Sequence, residues 1–148
     1  MLRATIEINE TQRAHAVRKL QQELHILKGR RIAVFGLTFK PGTDDLRDAP
    51  ALDIIRRMIA AGAVVSAFDP VIKSLPTEFA AVRLTRDVYE AADRADAVLV
   101  ATEWPEFLLI DPAELRRVMR GDLVVDGRNC LPAENFKRCG LRLVGFGW

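Results

Sequence analysis

Two hydrophobic textures divide the chain. Over residues 10–28, Val17, Leu20, Leu24 and Leu27 recur three or four positions apart, with Arg, Lys, Gln and Glu between them. That spacing predicts an amphipathic helix, stopped by Gly29 in a C-cap position. Ile6 and Ile8, just before it, fit either a helix or an extended arm. From Arg31 the apolar residues gather into short runs: RIAVFG, AVVSAFD from Ala63, DAVLVAT from Asp96, DLVVDG from Asp122 and LRLVGF from Leu141. Most of these runs are continuous rather than alternating, the pattern of strands covered on both faces.

Helical segments lie between the runs. One has Asp48 as its cap, Pro50 in its first turn and Gly62 just past its end, with Leu52, Ile55, Met58 and Ile59 on one face. Another opens at Asp111-Pro112, where Glu114 gives a start like a capping box. A weaker helix covers residues 87–94, and a short one follows Pro132. Strands that alternate with helices need crossover connections. The expected fold is therefore α/β: a Rossmann-like, doubly wound parallel sheet preceded by one long helix.

Composition narrows the function classes. At 148 residues and 49% hydrophobic, the chain suits one domain, and a domain of that size buries about two-thirds of its unfolded surface. The net charge is +2, with acidic and basic residues interspersed, which argues against a nucleic-acid surface. Arg56-Arg57 and Arg116-Arg117 fall inside helical patterns and read as solvated faces. No apolar run reaches the ~20 residues of a membrane span, and the start MLRATIEINE lacks the apolar stretch of a signal peptide. Cys130 and Cys139 have neither a C-x-x-C spacing nor a neighbouring His, so free thiols are expected rather than a zinc site or a disulfide. The compartment that fits is the cytoplasm.

Candidate chemistry sits where the runs end, because ligands of open α/β sheets bind beyond the carboxyl ends of the strands. Four segments place polar residues there: residues 36–48, Asp69-Pro70, Thr102-Glu103-Trp104 and residues 126–129. The first, GLTFKPGTDDLRD, follows a strand, as a phosphate-binding loop does, but it lacks G-x-G-x-x-G and carries Lys40 and Arg47 instead. With Arg128 from another loop, these cations suit a phosphate or diphosphate. Alternatively, Lys40 and Arg47 pair with Asp44, Asp45 and Asp48, and Arg128 pairs with Asp126. Asp69 stands where dinucleotide folds keep a ribose-binding acid. Without the glycine fingerprint, a turn-forming Asp-Pro is the better reading.

The segment GLTFKPGTDDLRDAPALDIIRRMIAAGAVVSAFDP, followed in order by VATEWPEF and VVDGRN, resembles the C-terminal domain of the UDP-glucose/GDP-mannose dehydrogenase family. The opening LRATIEINETQR is similar to the end of that family's central, dimer-forming helical region. The resemblance thus implies residues 1–28 as the end of a dimerisation region and residues 29–148 as a UDP-binding domain. It implies NAD-dependent oxidation of the C6 alcohol of a nucleotide sugar, UDP-glucose first, with GDP-mannose or UDP-N-acetylmannosamine as alternatives. Phe39, Lys40 and Arg128 would contact the nucleotide sugar, and Arg47 would reach across a cleft to NAD. The first helix would serve a homo-oligomer, leaving its apolar stripe under-satisfied in the chain alone.

The family's N-terminal glycine fingerprint, its nucleophilic cysteine segment, and the catalytic lysine and asparagine of its central helix have no counterpart in these residues. The chain therefore resembles the final third of such an enzyme, and catalytic residues are expected outside it. A stand-alone UDP-sugar-binding or regulatory module is the alternative. Asp48-Ala49 replaces the family's commoner Glu-Ser at a helix start.

Overall fold

The structure is a computed structural model that describes residues 2–145, with side chains over residues 13–145. It begins with a long helix, α1 (Leu2–Leu24), and continues through β1 (Arg31–Phe35), α2 (Pro50–Ala60), β2 (Val64–Phe68), β3 (Arg83–Leu84) and α3 (Val88–Ala92). The second half runs β4 (Ala97–Val100), α4 (Pro112–Val118), β5 (Leu123–Asp126), α5 (Ala133–Arg138) and β6 (Arg142–Gly145). Short 3-10 turns at Thr77–Phe79 and Pro105–Leu109 complete it.

Every strand pairing is parallel, and the order across the sheet is β3-β2-β1-β4-β5-β6. The chain winds outward from β1 to one edge, returns to β4, and winds to the other edge. This is the doubly wound sheet that the alternating runs predict, and its winding reverses between β1 and β4.

Strand periodicity sorts the core onto two faces. Ile32 and Val34 of β1, with Leu99 and Val125 of their neighbours, face α1 and α2. Ala33 and Phe35, with Val98, Val100 and Val124, face α3, α4 and α5. Continuous apolar runs arise because both faces are covered.

Several local expectations change. The first helix starts earlier than residue 10 and stops at Leu24, not at Gly29. His25 takes a left-handed φ of 69° and turns the chain, so Leu27 reaches the core from the following loop. The stripe of α1 is not left uncovered, because Ala16, Val17 and Leu20 pack into the cluster formed with α2. Asp48 does not cap α2. The residue before a proline is driven to extended backbone, so Ala49 takes the N-cap geometry without a side-chain bond. Asp48, one residue too early, adopts φ 54°, and its carbonyl accepts a hydrogen bond from Arg13. Asp111 does cap α4 through the Ala113 amide, but Glu114 pairs with Arg117 instead of closing a box.

Asp87 caps α3 through the Glu90 amide. Three of the four paired arginines are ion-paired rather than merely solvated: Arg56 meets Glu78, Arg57 meets Asp53 and Arg117 meets Glu114, while Arg116 donates to the Gly121 carbonyl at 3.2 Å. The edge strand β3, two residues long, was not foreseen from the pattern. Phe146, at the end of the predicted last run, lies outside the described residues.

At the amino end of β4, Asp96 ties the two halves together. Its carboxylate accepts from the Arg31 amide at 2.8 Å and from Arg120 at 2.9 and 2.6 Å. Burial pushes its carboxyl up, but the Arg120 and Arg31 hydrogen bonds outweigh this and hold it below the ordinary value of 3.8. A carboxyl depressed by folding adds stability that is present above its ordinary value and lost as pH falls through its folded value. Asp96→Asn should therefore cost about 1.5–3 kcal/mol near neutral pH, the size of a charged hydrogen bond. In denaturant melts the gap to the wild type should begin to narrow below about pH 4 and close as pH falls through the lower folded value; a gap independent of pH would contradict this reading of Asp96.

Candidate functional site at the switch point

The loops after β1, β2, β4 and β5 leave the sheet at its carboxyl edge, on either side of the point where winding reverses. The β1 loop starts at Gly36, whose φ is 90°, a value that glycine adopts without penalty. A Cβ there would lie 2.6 Å from the Cβ of Thr102, so the β1 and β4 loops touch only because residue 36 has no side chain. Just beyond, the buried Thr102 hydroxyl donates to the Thr38 carbonyl at 2.8 Å, and the Thr38 hydroxyl donates to the Lys40 carbonyl at 2.9 Å.

Asp69 anchors the same loop from β2. It is 1% exposed, and its carboxylate accepts from the Leu37 amide at 2.7 Å and from the Val71 and Ile72 amides at 2.8 and 3.1 Å. Both oxygens are thus committed to backbone, which makes Asp69 a turn former rather than a ribose acceptor. With no glycine fingerprint in the loop either, this sheet does not fit a dinucleotide held in the usual Rossmann manner.

The four expected site residues divide by environment. Phe39 and Lys40 project from the β1 loop, with Phe39 53% exposed. Lys40 has no side-chain hydrogen bond or ion pair among the described residues. Arg47 is exposed, and its Nε lies 3.1 Å from Asp45. The Arg47 hydrogen bonds hold the Asp45 carboxyl below its ordinary range. The ion-pair alternative therefore holds for Arg47, with Asp45 as the acid.

Arg128 also pairs, but not with Asp126. Its guanidinium forms a two-pronged contact with Glu103 of the β4 loop. Asp126 is occupied by backbone, accepting from the Arg128 and Leu131 amides. Such partly exposed ion pairs contribute little to stability and can be exchanged for another anion.

Through these contacts the β4 loop bridges the other two: Thr102 holds the backbone leading to Lys40, and Glu103 holds Arg128. The roles of Thr102 and Glu103 were missed in the sequence, where they stood only as polar residues at a strand end. Glu103 and Arg128 lie 25 positions apart, and nothing local links them. Beside the Arg128 loop, Asp126, Asn129, Lys137 and Gly145 border a hollow of about 240 Å³.

The cysteines bring no nucleophile to this edge. Both are free and half-buried. Burial, then the charge of Asp126, pushes the Cys130 thiol up to about 12, leaving almost no thiolate at neutral pH.

Residues 33–133 match the model of the UDP-glucose/GDP-mannose dehydrogenase family, UDP binding domain. The chain belongs to this family. It is 40% identical over 144 residues to the UDP-glucose 6-dehydrogenase TuaD of Bacillus subtilis, covering 95% of this chain and 31% of that protein. A UDP-glucose 6-dehydrogenase of Rhizobium meliloti is 35% identical, covering 99% and 34%. Among solved structures, a UDP-glucose dehydrogenase from Pyrobaculum islandicum superposes with a TM-score of 0.74 at 30% identity, covering 98% of this chain and 31% of that one. The chain thus spans about a third of the length of the curated relatives it matches. Within the family's domain, the β1, β4 and β5 loops just described are the segments GLTFKPGTDDLRD, TEW and DGRN.

Asp69→Ala should destabilise the chain by about 3 kcal/mol or more, since three amides lose their acceptor at about 1 kcal/mol or more each. Amide exchange should quicken at Leu37, Val71 and Ile72 ahead of the rest of the sheet. Unchanged protection at Leu37 would show that the loop does not depend on this carboxylate.

Proposed function

We propose that the chain is the nucleotide-sugar-binding domain of an NAD-dependent UDP-glucose 6-dehydrogenase. In this reading residues 29–148 bind UDP-glucose and residues 1–28 end the helical region before it. The observation that carries it is the pairing of an unengaged Lys40 with an exchangeable Arg128 on loops bridged at the switch point. Family membership supplies the ligand class.

Lys40 and Arg128 hold the diphosphate, with Arg128 exchanging Glu103 for phosphate oxygens, and exposed Phe39 packs on the nucleotide sugar. The diphosphate is gripped by charge and the reacting sugar is left free to extend away from the sheet. NAD, when bound, supplies the hydride acceptor. These residues lack the glycine fingerprint and the nucleophilic cysteine, so they orient the substrate while catalytic groups come from elsewhere in the enzyme. Arg47, out on its loop, reaches the cofactor.

Two further parts of the reading rest on narrower ground. Cys130 and Cys139 are unbridged thiols, which suits the cytoplasm, and among the described residues no helix is long and apolar enough to cross a membrane. Homo-oligomerisation through α1 has to use positions other than Val17 and Leu20, which the domain's own core already occupies.

Chemical-shift titration with UDP tests the site. Lys40→Ala or Arg128→Ala should weaken binding by about 10- to 100-fold, the effect of losing a charged hydrogen bond. Glu103→Gln should tighten it by up to about 5-fold, because the competing ion pair is gone. Arg47→Ala should leave UDP affinity unchanged. Folded Lys40→Ala and Arg128→Ala variants with unaltered titration curves would show that both cations serve only local structure.

A further inference from the structure

The opposite edge of the sheet carries a second basic concavity. Residues Arg31, Val64, Ser66, Arg83, Asp93 and Arg94 border a groove of about 350 Å³ at the amino ends of β1, β2 and β3. Its origin is the shortness of α3. Five helical residues span only about 7.5 Å, whereas the five of β2 run for about 16 Å. The helix therefore cannot cover the amino-terminal half of the strand.

Val64 is left 54% exposed on a strand that is not at the edge of the sheet. Val64 pairs with Arg31 of β1, whereas β3 reaches only Ser66 and Ala67, so the start of β2 lies open on that side and Val64 forms an apolar floor between the arginines.

The rim is cationic. Three arginines and a single acid, Asp93, border the groove. One guanidinium, Arg83, is held in place by donating to the Glu90 carbonyl at 2.8 Å. The side chains of Arg31 and Arg94 have no hydrogen bond or ion pair among the described residues. The Arg94 backbone is fixed at φ 57° by its amide bond to the Val118 carbonyl at 2.8 Å. That conformation normally favours glycine or asparagine, yet a long cation occupies it. The Ser66 hydroxyl already donates to the Ala91 carbonyl, so it keeps its acceptor capacity and adds no free donor. Recognition therefore falls to the guanidiniums, which suit phosphate oxygens, and to the apolar floor of Val64.

We propose that this groove binds a small phosphorylated molecule, with its phosphate on Arg31, Arg83 and Arg94 and its organic part on Val64. Because the groove lies at the amino edge, it can be occupied together with the carboxyl-edge site and is independent of the nucleotide-sugar reading. The test titrates the 148-residue chain, saturated with UDP, with phenyl phosphate and separately with inorganic phosphate. Amide shifts should appear at Val64, Ser66, Arg83 and Arg94. Phenyl phosphate should bind about 5-fold more tightly, the ratio expected from covering about 40 Å² of apolar surface.

Arg31→Gln with Arg83→Gln should weaken binding at least about 10-fold. Arg31→Lys with Arg83→Lys should restore part of it, and Lys40→Ala should not change it. Equal affinity for the two probes would overturn the organic part of the ligand and leave only a free-anion site. No shift with either probe, or shifts that UDP abolishes, would overturn the proposal altogether. Failure of UDP to bind its own edge would leave these readings intact, so the two sites can fail separately.

Discussion

The contact between Gly36 and Thr102 is the constraint on which the rest of the carboxyl edge depends. The sheet winds both ways from β1 and β4, so their loops must part at the same point in space. A side chain at residue 36 would prop them apart, since its Cβ would stand 2.6 Å from that of Thr102. With glycine there, the Thr102 hydroxyl reaches the Thr38 carbonyl, and Glu103 is carried to within reach of Arg128. Asp69 then fixes the loop from the far side. Three elements of sequence, far apart along the chain, thereby become one platform.

Charge, not close glycine packing, defines that platform. A dinucleotide-binding loop brings backbone against pyrophosphate and needs several glycines. Here the β1 loop has one such glycine at its root, and beyond it Lys40 and Arg47 project. The buried acid after β2 is spent on three amides. Each of these features turns the edge away from the usual dinucleotide mode, which is why the proposed ligand is an anion gripped by side chains.

Much of this was legible in the sequence, and the limits have physical causes. Five apolar runs, most of them continuous, marked five of the six described strands, and the continuous ones are those buried on both faces, such as β4 and β5. The two residues of β3 carry no such signature and exist only through pairing with β2. Asp48 looked like a cap by residue type, yet Pro50 moved the cap geometry to Ala49. The stripe of α1 was visible, but not what it meets, since periodicity names a buried face without naming its partner. Lys40 and Arg128 stood out by their position at strand ends. Glu103, which decides the state of Arg128, could not, because the pair is made by the sheet rather than by local spacing.

A map of backbone amide shifts on adding UDP to the isotopically labelled chain tests the carboxyl-edge platform most directly. The strongest and first-saturating changes should fall in residues 36–48, 102–104 and 127–129, on three loops at one edge. Changes centred on the amino edge, or spread evenly over the sheet, would contradict it.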